Sequence, residues 1–250
     1  MVSNSTIKLI QSLKLKKYRQ KYNLFVVEGW KSITTVLSQK EIIVERIFTS
    51  NPIDLKAYAQ FPEIIATKPS EIKKLSHLQS PTDAVALVKL HEANKKEVDY
   101  AKPMIYLDDI QDPGNLGTII RIADWYGFGS ILRSQGSADF YSPKAIQSSM
   151  GSFANLHLST LDKTDLLEQE EIQLVITSLH GSSSLDTLII DQPICLVIGN
   201  EGKGVSQTLM DSATIKYTIE GSPNRKAESL NAAVATGIMC EKIYGLKAIG

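Results

Sequence analysis

Apolar residues recur along the chain in short bursts separated by polar turns. Ile7, Ile10 and Leu13 fall near helical spacing, so the pattern predicts a helix from Thr6 to about Lys21 with its lysines outward. LFVVEG (24–29) is a short apolar run ending in glycine and reads as a buried strand. WKSITTVLSQ follows as a helix, and EIIVERIFTS contains a strand punctuated by Asn51-Pro52. DLKAYAQF reads as helix and EIIAT as extended. PSEIKKLSHL reads as a helix opening at Pro69 or Ser70, and AVALVKL (84–90) as a strand. This alternation predicts a small α/β/α layer domain.

HEANKKEVDYAKP (91–103) is polar and lacks an apolar period, which marks a linker. The expected division is 1–92, a linker at 93–103, and 104–250. The second part alternates again. MIYLDDI (104–110) is a strand ending in two carboxylates, and a helix follows Pro113-Gly114. SILRS, ANLHLS, IQLVITSL (172–179), PICLVIGN (193–200) and ATIKYTIE are strands; the longest are continuously apolar, as in the middle of a parallel sheet. SPKAIQSSM reads as a helix capped by Ser142, DKTDLLEQEE as one capped by Asp162, GVSQTLMDSA as a helix, and ESLNAAVATGIMCEKIYG as a long last helix. An open α/β sheet results, whose ligands bind at the carboxyl ends of the strands.

Composition changes this picture little. At 250 residues, 43% hydrophobic and 22% charged, the chain is ordinary for a globular protein, which excludes disordered, collagen-like and disulfide-scaffold classes. No run approaches the roughly 20 apolar residues of a membrane span, and the N-terminus lacks an apolar signal core, so a cytoplasmic location is expected. Cys195 and Cys240 sit in apolar runs and read as buried free thiols. The four histidines have no metal-ligand spacing, so no metal is expected. The net charge is zero but uneven. Before Glu28 stand Lys8, Lys14, Lys16, Lys17, Arg19 and Lys21 with no acid among them, leaving 21 basic against 27 acidic residues beyond. With Tyr18, Tyr22 and Phe25 interleaved, that end reads either as a nucleic-acid surface or as a solvated helix face.

Three loops, each after an apolar strand, carry candidate chemistry. In DDIQDPGNLGTIIR, Asn115, Gly117 and Arg121 span a helix opening that favours an anion, with Arg121 able to fork onto a phosphate. The alternative is capping by Asp112 or Asn115 and pairing of Arg121 with Asp124 or Asp108. In LVIGNEGKGVS, three glycines surround Glu201, with neither P-loop nor dinucleotide spacing. Such a turn suits a cofactor bearing hydroxyls or positive charge, or is a tight turn with a solvated Glu. In GSPNRKAESLNAAVATG, Ser229 and Asn231 precede small residues that let a ligand approach, or Ser229 caps a tightly packed helix.

The order of these motifs, D-x-x-N-x-G-x-x-x-R, then apolar-G-N-E-G-x-G, then S-L-N before an alanine-rich helix, resembles the SpoU/TrmH family of RNA ribose 2′-O-methyltransferases in the SPOUT superfamily. The likeness runs over 104–244. KKYRQKYNLFVVEGWKSI resembles the start of the RNA-binding N-terminal domain of many members. The resemblance implies an α/β trefoil-knot catalytic domain behind a smaller α/β/α RNA-binding domain, S-adenosylmethionine as methyl donor, and a homodimer through the C-terminal domain. It implies Gly199, Ile219 and Leu230 lining the cofactor pocket, with Asn200, Glu201 and Gly202 beside it and Thr177 and Ser178 near it. It makes Arg121 the essential residue, as base or phosphate clamp, oriented together with substrate by Asn115, Glu201, Ser229 and Asn231. Ile219-Glu220-Gly221 departs from the family's usual Ile-Pro-Met. The implied substrate is structured RNA, ribosomal RNA of the large subunit first and transfer RNA second. The contrasting class is a non-catalytic RNA-binding or ribosome-assembly factor that kept the fold.

Overall fold

The computed structural model describes residues 2–51, 63–90, 98–99, 102–182, 184–185, 188–189 and 192–249. The chain forms two compact units, one of Met1–Asn94 with Asp139–Asn155, the other of Lys95–Ala138 with Leu156–Gly250. Most of the expected 93–103 linker and the expected DLKAYAQF helix lie outside the described residues.

The first unit runs α1 (Asn4–Ser12), α2 (Lys16–Tyr22), β1 (Leu24–Glu28), α3 (Trp30–Leu37), β2 (Val44–Thr49), β3 (Glu63–Ala66), α4 (Pro69–Leu75) and β4 (Ala84–Lys89). Its sheet has the order β1-β4-β2-β3, with β4 antiparallel to both neighbours and β2 parallel to β3. Ile10, Leu13, Val26, Phe48, Ile72 and Leu87 pack in one core cluster on this sheet. The single helix expected over 6–21 is two. The chain breaks at Leu13, which is buried, and the side chain of Arg19 takes over the carbonyls freed there, donating from Nη1 to Leu13 O at 2.7 Å and Lys14 O at 2.9 Å. Two satisfied carbonyls offset the lost helical bonds.

The second unit continues with β5 (Met104–Asp108), α5 (Pro113–Trp125) and β6 (Ser130–Arg133). The chain then contributes α6 (Pro143–Ser149) and a 3-10 turn (Ser152–Ala154) to the first unit. The order of elements along the sequence groups this stretch with the second part. Its side chains decide otherwise: Asp139 Oδ2 meets the buried Arg19 Nη2 at 2.6 Å, and Tyr141 and Phe153 pack on Phe25 with ring centroids 4.8 and 5.7 Å away. Phe25, a candidate for base stacking in the sequence, is therefore core, 1% exposed.

The remaining elements are β7 (His157–Thr160), α7 (Lys163–Leu167), β8 (Gln173–Ser182), β9 (Ile194–Gly199), α8 (Gln207–Asp211), β10 (Ile215–Tyr217) and α9 (Ala232–Ile249). The sheet is parallel throughout, in the order β10-β8-β9-β5-β6-β7. Strands β5 and β9 are covered on both faces, which is why they read as unbroken apolar runs. Their register pairs Asp108 with Gly199, so the first two motif loops leave the sheet side by side. The strand order reverses direction there, the place where such sheets form ligand crevices. The last helix starts at Ala232, later than the Glu228 expected from sequence, because Asn231 is its cap: Asn231 Oδ1 accepts from Ala233 N at 2.9 Å and Val234 N at 3.3 Å. Ser229 is freed from the capping role.

One half-buried pair in the first unit, His77 and Glu28, gives it a pH signature. His77 Nε2 faces Ile10 O at 2.8 Å, so it carries the proton and donates, and burial pushes the imidazole down from 6.5 to about 4. Glu28 accepts from Ser76 Oγ and from His77 N, and burial pushes its carboxyl up. The unfolded histidine takes a proton well before the folded one, so its contribution is full above 6.5 and lost as pH falls toward 4. Glu28 acts with the opposite sign, contributing below its unfolded value of 4.5 and losing that as pH rises. Urea unfolding of the intact chain is expected to show stability falling by roughly 1–2 kcal/mol between pH 7 and 5, a decline that is shallower in His77→Gln. Equal slopes in the two proteins would exclude His77 as the source.

Candidate functional site

The first motif loop is held open by its own polar groups. Asp109 turns the chain in a left-handed conformation (φ 64°), its N–H donating to Ser134 Oγ at 3.0 Å. Asp112 caps α5, its Oδ1 accepting from Asn115 N at 2.8 Å, with Pro113 in the first turn. Leu116, Gly117, Ile119 and Ile120 are buried, and the Asn115 side chain is left half-buried at the helix opening.

The second loop folds back on itself. Asn200 N donates to Gly204 O at 3.1 Å and Gly204 N to Asn200 O at 2.8 Å, an antiparallel bridge closing the turn. Asn200 Oδ1 accepts from Gly202 N and Lys203 N, and its Nδ2 donates to Asp109 O at 2.8 Å, tying the two loops. The buried Asp108 accepts from Ser206 N at 2.7 Å and fixes the far side of the turn. Gly199 sits so close to its own returning chain that a Cβ there would collide with the Gly204 carbonyl carbon and the Val205 nitrogen.

The third loop completes a relay. The N–H groups of Ala233 and Val234 point at Asn231 Oδ1, which leaves Asn231 Nδ2 to donate to Asn115 Oδ1 at 2.9 Å. Asn115 Nδ2 in turn donates to Glu201 Oε1 at 2.7 Å. The polarity of every amide is dictated from the helix end outward, and the chain of donors ends on a carboxylate. One residue from each motif, positions 115, 201 and 231, is thereby brought together.

Beside the relay lies a cavity of about 540 Å³, within the usual range for small-molecule sites. Thr177, Ser178, Gly199, Asn200, Glu201, Ile219, Ser229 and Leu230 line it. Thr177 and Ser178 lie just past Ile176, the last β8 residue paired with β9, which turns them toward the opening. Gly202 does not line the cavity: its N–H is engaged by Asn200 Oδ1. Arg121 does not line it either. It is exposed on α5. Lys203, Glu220, Arg225 and Glu228 also line it, and the motifs do not single them out. Their signal in the sequence is a charged loop across an Ile-x-Gly departure, with no pattern to say which way it folds. The lining suits S-adenosylmethionine: carboxylates for the sulfonium, ammonium and ribose, Lys203 and Arg225 for a carboxylate, and Ile198, Val205 and Met210 for an adenine face. The two thiols are buried and lie outside this lining, and burial pushes Cys195 up to about 12 and Cys240 higher than usual. Neither is a thiolate nucleophile. Among the described residues, no group of three histidines, cysteines or acids could hold a metal ion.

Comparison with known proteins identifies the family. Residues 4–86 match the MRM3-like substrate binding domain, and residues 102–241 match the SpoU rRNA Methylase family. A Bacillus subtilis relative, the 23S rRNA (guanosine(2553)-2′-O)-methyltransferase RlmP, is 27% identical over 97% of each chain. A TrmH-family structure from Porphyromonas gingivalis is 31% identical, covers 97% of this chain and 98% of its own, and superposes with a TM-score of 0.82. An AdoMet-bound rRNA methyltransferase from Sinorhizobium meliloti is 26% identical, covers 98% of this chain and 96% of its own, and gives a TM-score of 0.86. The α/β fold of the chain is that of these methyltransferases, and the chain belongs to the SpoU rRNA methylase family.

Proposed function

We propose that the protein transfers a methyl group from S-adenosylmethionine to a ribose 2′-oxygen of ribosomal RNA. The observation that carries this reading is the relay from Asn231 through Asn115 to Glu201 at the edge of a cofactor-sized cavity. The name of the Bacillus subtilis relative supports rRNA as the substrate, and the AdoMet-bound neighbour supports the cofactor.

S-adenosylmethionine supplies a methyl group already activated on a sulfonium, so the residues have the acceptor to manage. A ribose hydroxyl is a poor nucleophile until its proton is handled and its oxygen is held in line. Glu201, fixed by Asn115, sets the charge at the mouth of the cavity. Asn231 ties that orientation to the end of α9. Ser229 and Leu230 border the same opening. Arg121 clamps the adjacent phosphate, a role suited to its planar fork of donors.

The division of labour follows the two units: the first, with its 139–155 excursion, holds RNA, and the second carries out transfer. The protein works as a homodimer. Trp125 on α5 is 83% exposed, and Val234 and Tyr244 on α9 are 52% and 54% exposed, apolar side chains that a second copy would cover. The reading includes the trefoil knot, consistent with the second and third motifs sharing one cavity. It places the protein in the cytoplasm. Among the described residues no helix is long and apolar enough to cross a membrane.

The test is incubation of the purified chain with labelled S-adenosylmethionine and total RNA from a strain lacking the gene, followed by nuclease mapping. Label is expected on one ribose of large-subunit rRNA, and saturating cofactor is expected to raise the melting temperature. Label confined to tRNA would overturn the substrate. No label on any RNA would overturn the activity.

A further inference from the structure

The N-terminal basic stretch is not one uniform charge. Arg19 is buried and answered by Asp139, so its charge is spent inside the first unit. Lys8, Lys14, Lys16, Lys17 and Lys21 are exposed, and neither α1 nor α2 carries an acid to pair with them. Lys17, Tyr18, Lys21 and Tyr22 fall within an arc of about 140° on α2 at about 100° per residue. The rings of Tyr18 and Tyr22 stack with centroids 6.2 Å apart and planes 16° from parallel. The Lys17 ammonium lies 5.0 Å from the Tyr18 centroid, and that of Lys21 5.4 Å from the Tyr22 centroid. Tyr22 is 43% exposed and Leu15, at the helix start, 54%.

A solvated helix face would carry carboxylates at the i+4 positions of its lysines and keep its rings inward. This face carries no carboxylate at those positions, and it leaves Tyr22 exposed with Tyr18 half-buried beside it. Two near-parallel rings flanked by ammonium groups that no carboxylate of α1 or α2 answers match the two halves of an unpaired nucleotide strand, flat bases and anionic phosphates. A paired A-form helix presents phosphates but hides its base faces, so the rings would be idle against it. An acidic peptide would use the charge and leave the rings unused.

We propose that this face of α2 is the docking platform for an unpaired segment of the RNA substrate. Bases stack on the Tyr18–Tyr22 pair, and Lys17 and Lys21 swing from the rings to neighbouring phosphates. The platform rests on the reading that the chain acts on RNA, and it deepens that reading by naming single-stranded loops, not duplex, as what the first unit grips.

The test measures binding of the full chain to an unstructured uridine-rich oligoribonucleotide and to an RNA duplex of equal length, across a salt series. Y18A/Y22A is expected to weaken oligonucleotide binding at least about tenfold with little change on duplex and no change in salt slope. Y18F/Y22F is expected to bind like the parent. K17Q/K21Q is expected to lower the slope of log K against log salt by about 1.4, since each phosphate neutralised on a single strand carries roughly 0.7. In methyl transfer the tyrosine pair is expected to raise KM for RNA and spare kcat, with cofactor affinity unchanged as the control for folding. Unaltered oligonucleotide affinity in Y18A/Y22A, or an equal loss on duplex, would overturn the platform. If the parent methylates RNA and the tyrosine variant keeps its affinity, the platform fails and the reaction stands. If the parent shows the predicted stacking and salt effects but transfers no methyl group, the reaction fails and the platform stands.

Discussion

Replacing Arg121 with alanine is expected to cut methyl transfer at least about a hundredfold while leaving cofactor affinity within about twofold, the signature of a group engaged with the acceptor. The geometry of α5 adds a sharper expectation. Arg121 lies six residues beyond Asn115, about 9 Å along the helix and roughly 120° around it. It shares a face with Thr118 and Trp125, both exposed, and not with the side that meets Glu201. We propose that the second copy of the homodimer covers that face, which would let Arg121 of one protomer serve the cavity of the other. Mixing Arg121→Ala with Glu201→Ala, each inactive alone, then builds heterodimers with one intact site. Random assortment gives half heterodimers, so activity is expected to recover to about a quarter of the parent value. No recovery would mean the arginine acts within its own chain. Full activity of Arg121→Ala alone would remove it from the reaction.

Gly199→Ala is expected to abolish cofactor binding and to cost several kcal/mol of stability, of the order of the largest single-residue effects. The added methyl has nowhere to go. It meets backbone, the Gly204 carbonyl carbon and the Val205 nitrogen, and not the yielding end of a side chain. Relief requires opening the Asn200–Gly204 bridge, and with it the bonds from Asn200 to Gly202, Lys203 and Asp109. Calorimetric titration with S-adenosylmethionine and urea unfolding measure the two effects. As a contrast, a Cβ at Gly202 meets only Asn200 Oδ1 at 3.6 Å, so Gly202→Ala is expected to bind cofactor nearly as well as the parent. Normal binding by Gly199→Ala would show that the turn does not need its closed form.

The parallel sheet was legible because β5 and β9 are buried on both faces and advertise it as unbroken apolar runs. The three motif loops were legible by residue type and order, and the link from Asn231 through Asn115 to Glu201 gives that order its spatial meaning. Other features were settled by contacts distant in sequence. The break at Leu13 depends on a guanidinium six residues later, and nothing in the local period marks it. The start of α9 turned on whether Ser229 or Asn231 meets the first N–H groups, two residues of equal capping strength. Phe25 looked like one ring in an aromatic series, and only Tyr141 and Phe153 make it core. The loop at 220–228 offers polar residues without periodicity, so its place around the cavity could not be read in advance.

The return of Asp139–Asn155 to the first unit has a consequence for how such a protein can be re-engineered or can evolve. A single splice after residue 92 would carry off Arg19 without its carboxylate and Phe25 without the rings that cover it, stranding a buried charge and an open apolar surface. Exchange of the recognition module for one of another specificity therefore requires three junctions, one near residue 92 and one at each end of the 139–155 excursion, and the incoming module must bring its own excursion with it.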